Sequence, residues 1–299
     1  ATVTQSAAIN AAGLELLGTA GVFTLTNTGN TVTTLAGNTG TVSFAGNSGF
    51  AIGTVNTAGL TTTGNTTLSS TGTVTQSAAI TAAGLELLGT GGIYTLTNTS
   101  NAITTLAGNT GTVSFVENSG FAIGTVNTVG LTTSGDLTLS STGTVTQSTA
   151  IAAAGLELLG TSGTYTLTNT SNAITTLAGS TGTVSFLENS GFAIGTVGST
   201  VGFTASTSLT LSSTGTVTQS NLISTPSLLL LGTGGTYTLT NTSNAITTLA
   251  GNTGSVSFVE NSGFAIGTLS GTAGLTTTGN TTLSSTATVT QSAAINAAG

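Results

Sequence analysis

The tetrapeptide Thr-Val-Thr-Gln ends at Gln5, Gln76, Gln147, Gln219 and Gln291, so the chain repeats itself at intervals of 71, 71, 72 and 72 along its numbering. Gly-Phe-Ala-Ile-Gly-Thr keeps the same beat from Gly49, Gly120, Gly191 and Gly263, and Thr-Leu-Thr-Asn-Thr keeps it around Thr26, Thr97, Thr168 and Thr240. A fixed period of this kind marks an architecture in which each unit buries its apolar side only against its neighbours. The four tandem repeats run 1–72, 73–143, 144–215 and 216–287, and 288–299 opens a fifth, all in one continuous solenoid. Ala1 to Gly13 is identical to Ala287 to Gly299. Neither end carries the polar capping repeat expected where an array stops. The expectation is therefore a window on a longer protein, whose excised coils would expose unpaired strand edges and stack end to end with further copies.

Each repeat breaks into about eight short segments that alternate apolar residues with Thr or Ser, as in Thr41-Val42-Ser43-Phe44 and Phe23-Thr24-Leu25-Thr26. That is the period-two pattern of a half-buried strand. Asn-Ser-Gly, Asn-Thr-Gly and Gly-Asn punctuate the segments and supply the positive φ that tight turns need. The best helical stretch, Leu14 to Gly18, is cut off by its glycine. The reading is all-β: a parallel β-solenoid with three to four coils per repeat. The repeat divides into three coils of about 24 or four of about 18, and eight segments favour four. Leu, Val, Ile and Phe would fill a narrow core, with Thr, Ser and Asn outside in ladders of like over like.

Composition removes whole classes of function. The chain has no Lys, Arg, His, Cys, Met or Trp and only seven acidic residues. Nucleic acid cannot be neutralised without basic side chains, so no nucleic-acid partner is expected, and polybasic attachment to anionic lipid fails for the same reason. No apolar run is long enough for a transmembrane helix, and a membrane β-barrel would need aromatic girdles that 4% aromatic residues do not supply. No membrane insertion is expected. Disorder is also disfavoured, because 37% of the residues are hydrophobic and recur periodically.

The stretches Gly-Asn-Thr-Val-Thr-Thr-Leu-Ala-Gly-Asn-Thr-Gly-Thr-Val-Ser-Phe, Gly-Phe-Ala-Ile-Gly-Thr-Val and Gly-Leu-Thr-Thr-Thr-Gly-Asn-Thr-Thr-Leu-Ser-Ser-Thr-Gly-Thr-Val-Thr-Gln-Ser resemble the tandem repeats of giant bacterial exoproteins related to filamentous haemagglutinin. The resemblance covers essentially the whole chain. It implies a right-handed parallel β-helix and a long shaft that presents adhesive regions away from the cell. It also implies secretion across the outer membrane by a partner protein that reads an N-terminal domain, a segment not among these residues. No catalytic or binding residue of that family maps onto this chain.

The acids hold two repeat positions. Glu15, Glu86 and Glu157 share one, which becomes Leu229 in the fourth repeat; Glu117, Glu188 and Glu260 share another, which is Gly46 in the first. Asp136 stands alone. Paired carboxylates can hydrolyse glycosides, but here each series is broken in one copy and lacks basic or aromatic company. The plainer reading is solvated charge that keeps the surface soluble. Serine nucleophiles lack a His or Lys to activate them, the turns carry no Asp for calcium, and no strand–Gly loop–helix cradle for phosphate appears. No enzyme activity, cofactor, metal site or catalytic residue is expected. Tyr94, Tyr165 and Tyr237 share their position with Phe23 and read as core rather than as an exposed aromatic stripe. Asn65, Asn98 and Asn280 head chance glycosylation sequons, and Pro226 falls in a turn before Ser227.

These readings converge on a secreted, extracellular or cell-surface structural fibre or adhesin shaft. Its partners would be further copies in filaments, joined end to end or laterally, and host or neighbouring cell surfaces. The alternative is an ice- or surface-binding solenoid that uses Thr and Asn ladders.

Overall fold

A computed structural model describes residues 1–298, in two units, Ala1–Ala153 and Ala154–Gly299. Among the described residues there is no helix, and both units are parallel β-solenoids. Among the described residues, antiparallel pairing falls in short hairpins such as Thr196–Val197 with Thr200–Val201. The alternating segments are strands as expected: Thr41, Val42, Ser43 and Phe44 fall within Thr31–Gly46, with Val42 and Phe44 buried. Several strands are longer than the short segments suggest. Ile80–Leu96 runs for 17 residues, because the chain turns corners without losing its ladder.

The register fixes the coil. In the first unit one column of stacked residues reads Leu25, Phe44, Leu68, Leu87, Gly108, Leu131 and Ile151, so the numbering advances by 19, 24, 19, 21, 23 and 20. In the second, Phe186, Leu211, Leu230, Gly251, Leu275 and Ile295 advance by 25, 19, 21, 24 and 20. The typical coil therefore falls midway between the two expected lengths, and neither describes it. Three coils carry the column from Phe44 to Gly108, whereas one repeat carries Phe44 to its counterpart Phe115, seven positions further on. Three separate strands pair along Ala102–Val116, which gives each coil three faces, each about as long as that remainder. A repeat is thus three and one third coils. The whole-number division fails because corners, not the repeat, set the length of a face.

One consequence overturns the expected ladders of like over like. Leu16 stacks on Gly37, Leu60 and Ile80, yet its counterpart in the next repeat, Leu87, stacks on Leu68. The second repeat starts one face further round than the first, so these equivalent residues spiral about the coil instead of lying above one another.

The interior is apolar with polar corners. Leu, Val, Ile and Phe fill it, and each fully buried large side chain contributes about 1.5–3 kcal/mol. Every repeat places two phenylalanines edge to face, for example Phe115 and Phe121 with centroids 5.2 Å apart. Tyr94, Tyr165 and Tyr237 are fully buried, as their Phe counterpart suggests. The Tyr94 hydroxyl donates to the carbonyls of Leu68 (2.9 Å) and Leu88 (2.6 Å).

Not every Asn and Thr lies outside. Asn30, Asn101, Asn172 and Asn244 are buried at a corner. Asn101 Nδ2 donates to Leu96 O (3.2 Å) and to Val116 O (3.0 Å), while its Oδ1 accepts from Ile80 N (2.9 Å) and from the Gln76 amide. One amide thereby joins three successive coils and satisfies groups that burial would otherwise make costly. Gln5 with Asn30 and Gln219 with Asn244 form the same staple. Buried Thr39, Thr110, Thr181 and Thr253 do likewise for the Gly carbonyls of a bulge: Thr39 Oγ1 donates to Gly18 O (2.8 Å) and Gly21 O (3.1 Å).

Pro226 lies inside the strand Ile223–Leu239, not in a turn. In the second repeat the corresponding Ala83 N donates to Gly64 O (3.0 Å), a bond that Pro cannot make. The preceding coil has changed to match. There Phe203–Ser212 runs as one strand with Thr207 where other repeats have the turn glycine, so the acceptor turn is gone as well.

Candidate functional site

Seven acids are the obvious chemistry, and burial corrects the reading of five of them as solvated charge, while Glu15 and Asp136 are partly exposed. Glu86, Glu117, Glu157, Glu188 and Glu260 are all at most 5% exposed. With no Lys, Arg or His in the chain, only neutral donors are available to hold them.

The second series caps its own turn. Glu117 Oε1 accepts from Ser119 N (3.0 Å) and Ser119 Oγ, and Oε2 accepts from Gly120 N (2.6 Å). Glu188 repeats this with Ser190 and Gly191. Glu260 takes Ser262 N and Oγ, and its Oε2 is buried without a donor. Gly120 has φ +104°, a conformation that only glycine adopts freely, and a Cβ there would collide with Thr144. The motif Glu-Asn-Ser-Gly is therefore a self-contained turn that binds an anion from within.

The first series faces a loop that sequence reasoning did not single out. After Gly124 the chain leaves the coil as a hairpin closed by Gly130 N on Gly124 O (2.9 Å) and folds back over the sheet. Asn127 Nδ2 donates to Glu86 Oε2 (2.7 Å), Thr128 N to Oε1 (2.6 Å), and Thr67 Oγ1 to Oε2 (2.8 Å). Val126 rests on Gly84, where an added Cβ would come within 2.9 Å of it. Ala107, next in the column above Glu86, is wholly covered, so a small residue is required there. Burial pushes the Glu86 carboxyl up, but the bonds from Asn127, Thr128 and Thr67 outweigh it and leave it below the usual carboxylate range. Glu15 repeats the clasp with Asn56 Nδ2 (2.8 Å) and Thr57 N (2.5 Å), and the Asn56 bond leads in holding its pKa down. The signal was present in the sequence: a Val-Asn-Thr follows both Glu15 and Glu86, with its Asn 41 positions on.

The later repeats differ. The extra residue that lengthens their spacing lies in this hairpin, between Gly195 and Gly202 and between Gly267 and Gly274. Glu157 Oε2 lies against Gly198, and Leu229 takes the glutamate's place in the fourth repeat.

Open concavities recur on the outer face at the same repeat position. One of about 640 Å³ is lined by Ala12, Thr33, Ala51 and Thr75, with Phe50 at its floor. One of about 770 Å³ has Ala83, Thr104, Ala122 and Thr146 in the same places, and in the second unit one of about 840 Å³ includes Pro226. These surfaces offer hydroxyls and methyls and no ionisable group. Their outward columns are mixed: Ala51 lies beside Thr75, and Thr95 leads on to Ser114 and Thr138. Of the sequons, Asn65 and Asn280 are exposed, whereas Asn98 Oδ1 accepts from Ser100 N (2.9 Å). Among the described residues no three of His, Cys, Asp and Glu come together.

No protein-family profile, curated protein or solved structure matches this chain.

Proposed function

We propose that this chain is shaft material of a secreted, extracellular fibre or adhesin. The observation that carries the reading is the register: within each unit the later repeat continues the ladder of the earlier one through the same contacts, Thr67 on Glu86 in the first and Thr210 on Leu229 in the second, so repeats add without a change of rule. Such a stack lengthens by about 16 Å per repeat, taking about 4.8 Å for each coil. Acids committed to hydrogen bonds inside the fold and an outer surface of neutral Thr, Ser and Ala suit a spacer rather than a reaction site. The resemblance of the repeats to filamentous-haemagglutinin-like exoproteins points the same way. Self-association into filaments and contact with host or neighbouring cells belong to the same proposal. Mixed outward columns favour it over a continuous Thr ladder that would order water.

Immunogold labelling with antibodies raised against residues 1–299 tests it on the source cells. Label along thin fibres outside the cell is expected, and label confined to the cell interior would overturn the proposal.

A further inference from the structure

The hairpin over Glu86, like its counterpart over Glu15, is held unlike the rest of the solenoid. Ladders, staples and turn caps tie neighbouring coils along the core, but this loop reaches back across two coils to a single carboxylate. Its own closure is slight: Gly130 N to Gly124 O, a bridge between Thr125 and Val129, and a 3.3 Å bond from Val126 N to Thr128 O. Its ends are tied to the coil by Gly124 N on Leu106 O (3.2 Å) and Gly108 N on Gly130 O (2.9 Å), and between them it is seated by Glu86, by a 3.2 Å bond from Asn127 Nδ2 to Thr67 Oγ1, and on Gly84. We propose that the segment Gly124 to Gly130 is an acid-releasable strap, closed over the sheet while Glu86 is ionised and freed when that carboxylate takes up a proton.

No other titratable group faces Glu86. The strand Thr66–Ser70 brings Thr67, the strand Ala102–Val116 brings Ala107, and the hairpin brings Val126, Asn127 and Thr128. Tyr94, on the same strand as Glu86, is buried in the core. Protonation removes the charge and turns one acceptor oxygen into a donor, so the bonds from Asn127, Thr67 and Thr128 weaken from charge-assisted to neutral and at least one must reorient. The direction follows from linkage. The folded carboxyl titrates below its unfolded value, so the clasp is complete above the ordinary carboxylate range and is lost as pH falls through the depressed one. The hairpin of the fourth repeat lies over Leu229 and supplies an internal control.

Hydrogen exchange by mass spectrometry on residues 1–299, corrected for intrinsic rates, distinguishes the two hairpins. Between about pH 6 and about pH 2, protection of 124–130 should fall roughly ten- to a hundredfold, the factor carried by a hydrogen bond to a charged group. Protection of 267–274 should stay constant, as should the far-ultraviolet circular dichroism. Glu86→Gln should weaken 124–130 already at pH 6 and remove the pH dependence. If that variant does not fold, Asn127→Ala, in the loop itself, should halve the clasp and lower protection at pH 6. Unchanged protection of 124–130 down to pH 2, or simultaneous opening of both hairpins, would overturn the strap.

Discussion

The hairpins over Glu86 and over Leu229 occupy the same place in their repeats and are built on opposite principles. The first spans Gly124 to Gly130 and leaves Thr128 N unpaired within the loop, free to donate to a carboxylate. The second spans one residue more, from Gly267 to Gly274, and that residue completes a regular two-residue hairpin. Thr268 pairs with Ala273 and Leu269 with Thr272 around Ser270-Gly271, so the loop's backbone groups bond each other. Its loop needs no carboxylate to satisfy its backbone, and the buried Leu229 offers hydrocarbon beneath it. The inserted residue thus permits hydrocarbon beneath the loop without requiring it, because the third repeat keeps Glu157 under a hairpin of the same length. Glu157, buried against the longer hairpin of the third repeat, stands between the two cases.

The sharpest way to break this comparison is Leu229→Glu. A carboxylate buried beneath a self-paired hairpin should cost about 3–5 kcal/mol, read as a lower denaturant midpoint for the second unit. A neutral result would mean that the longer hairpin can open to supply donors. The converse change, Glu86→Leu, should cost less, about 1–3 kcal/mol, because it strands the Thr128 N–H and the Asn127 amide under the loop. Grafting the longer hairpin, Thr268 to Ala273, in place of Thr125 to Val129 should recover that loss; failure to do so would show that loop and residue are not coupled. The smallest effect concerns the longer turn itself. Ser270 has φ +48° and Gly271 φ +84°, the paired positive angles that favour Asn-Gly. Ser270→Asn should raise stability by about 0.5 kcal/mol, measurable as a small increase in Tm.

The clasp also shows what could be read in advance and what could not. Glu15, Glu86 and Glu157 stand out because the chain holds so few acids, and their replacement by Leu229 is visible as text. Burial was not visible, because Asn127 lies far along the chain from Glu86 and meets it only after two coils have closed. Pro226 was misplaced for a similar reason: its tolerance depends on a missing turn in the coil beneath it. The tyrosines were legible because Phe23 shows that the position tolerates the loss of a hydroxyl, as a core site does.

By itself the sequence determined that the chain is all-β and tandemly repeated. A period of two marks strands, and the fixed recurrence of Thr-Val-Thr-Gln marks stacked units, whatever the contacts turn out to be. Only the tertiary structure decided how the repeat winds. Face length depends on where buried amides such as Asn101 and bulges such as Gly18 to Val22 turn the backbone. Those corners depend in turn on carbonyls contributed by the coils above and below. The third of a turn left over in each repeat is the outcome, and it governs which residues stack and which loop covers which carboxylate.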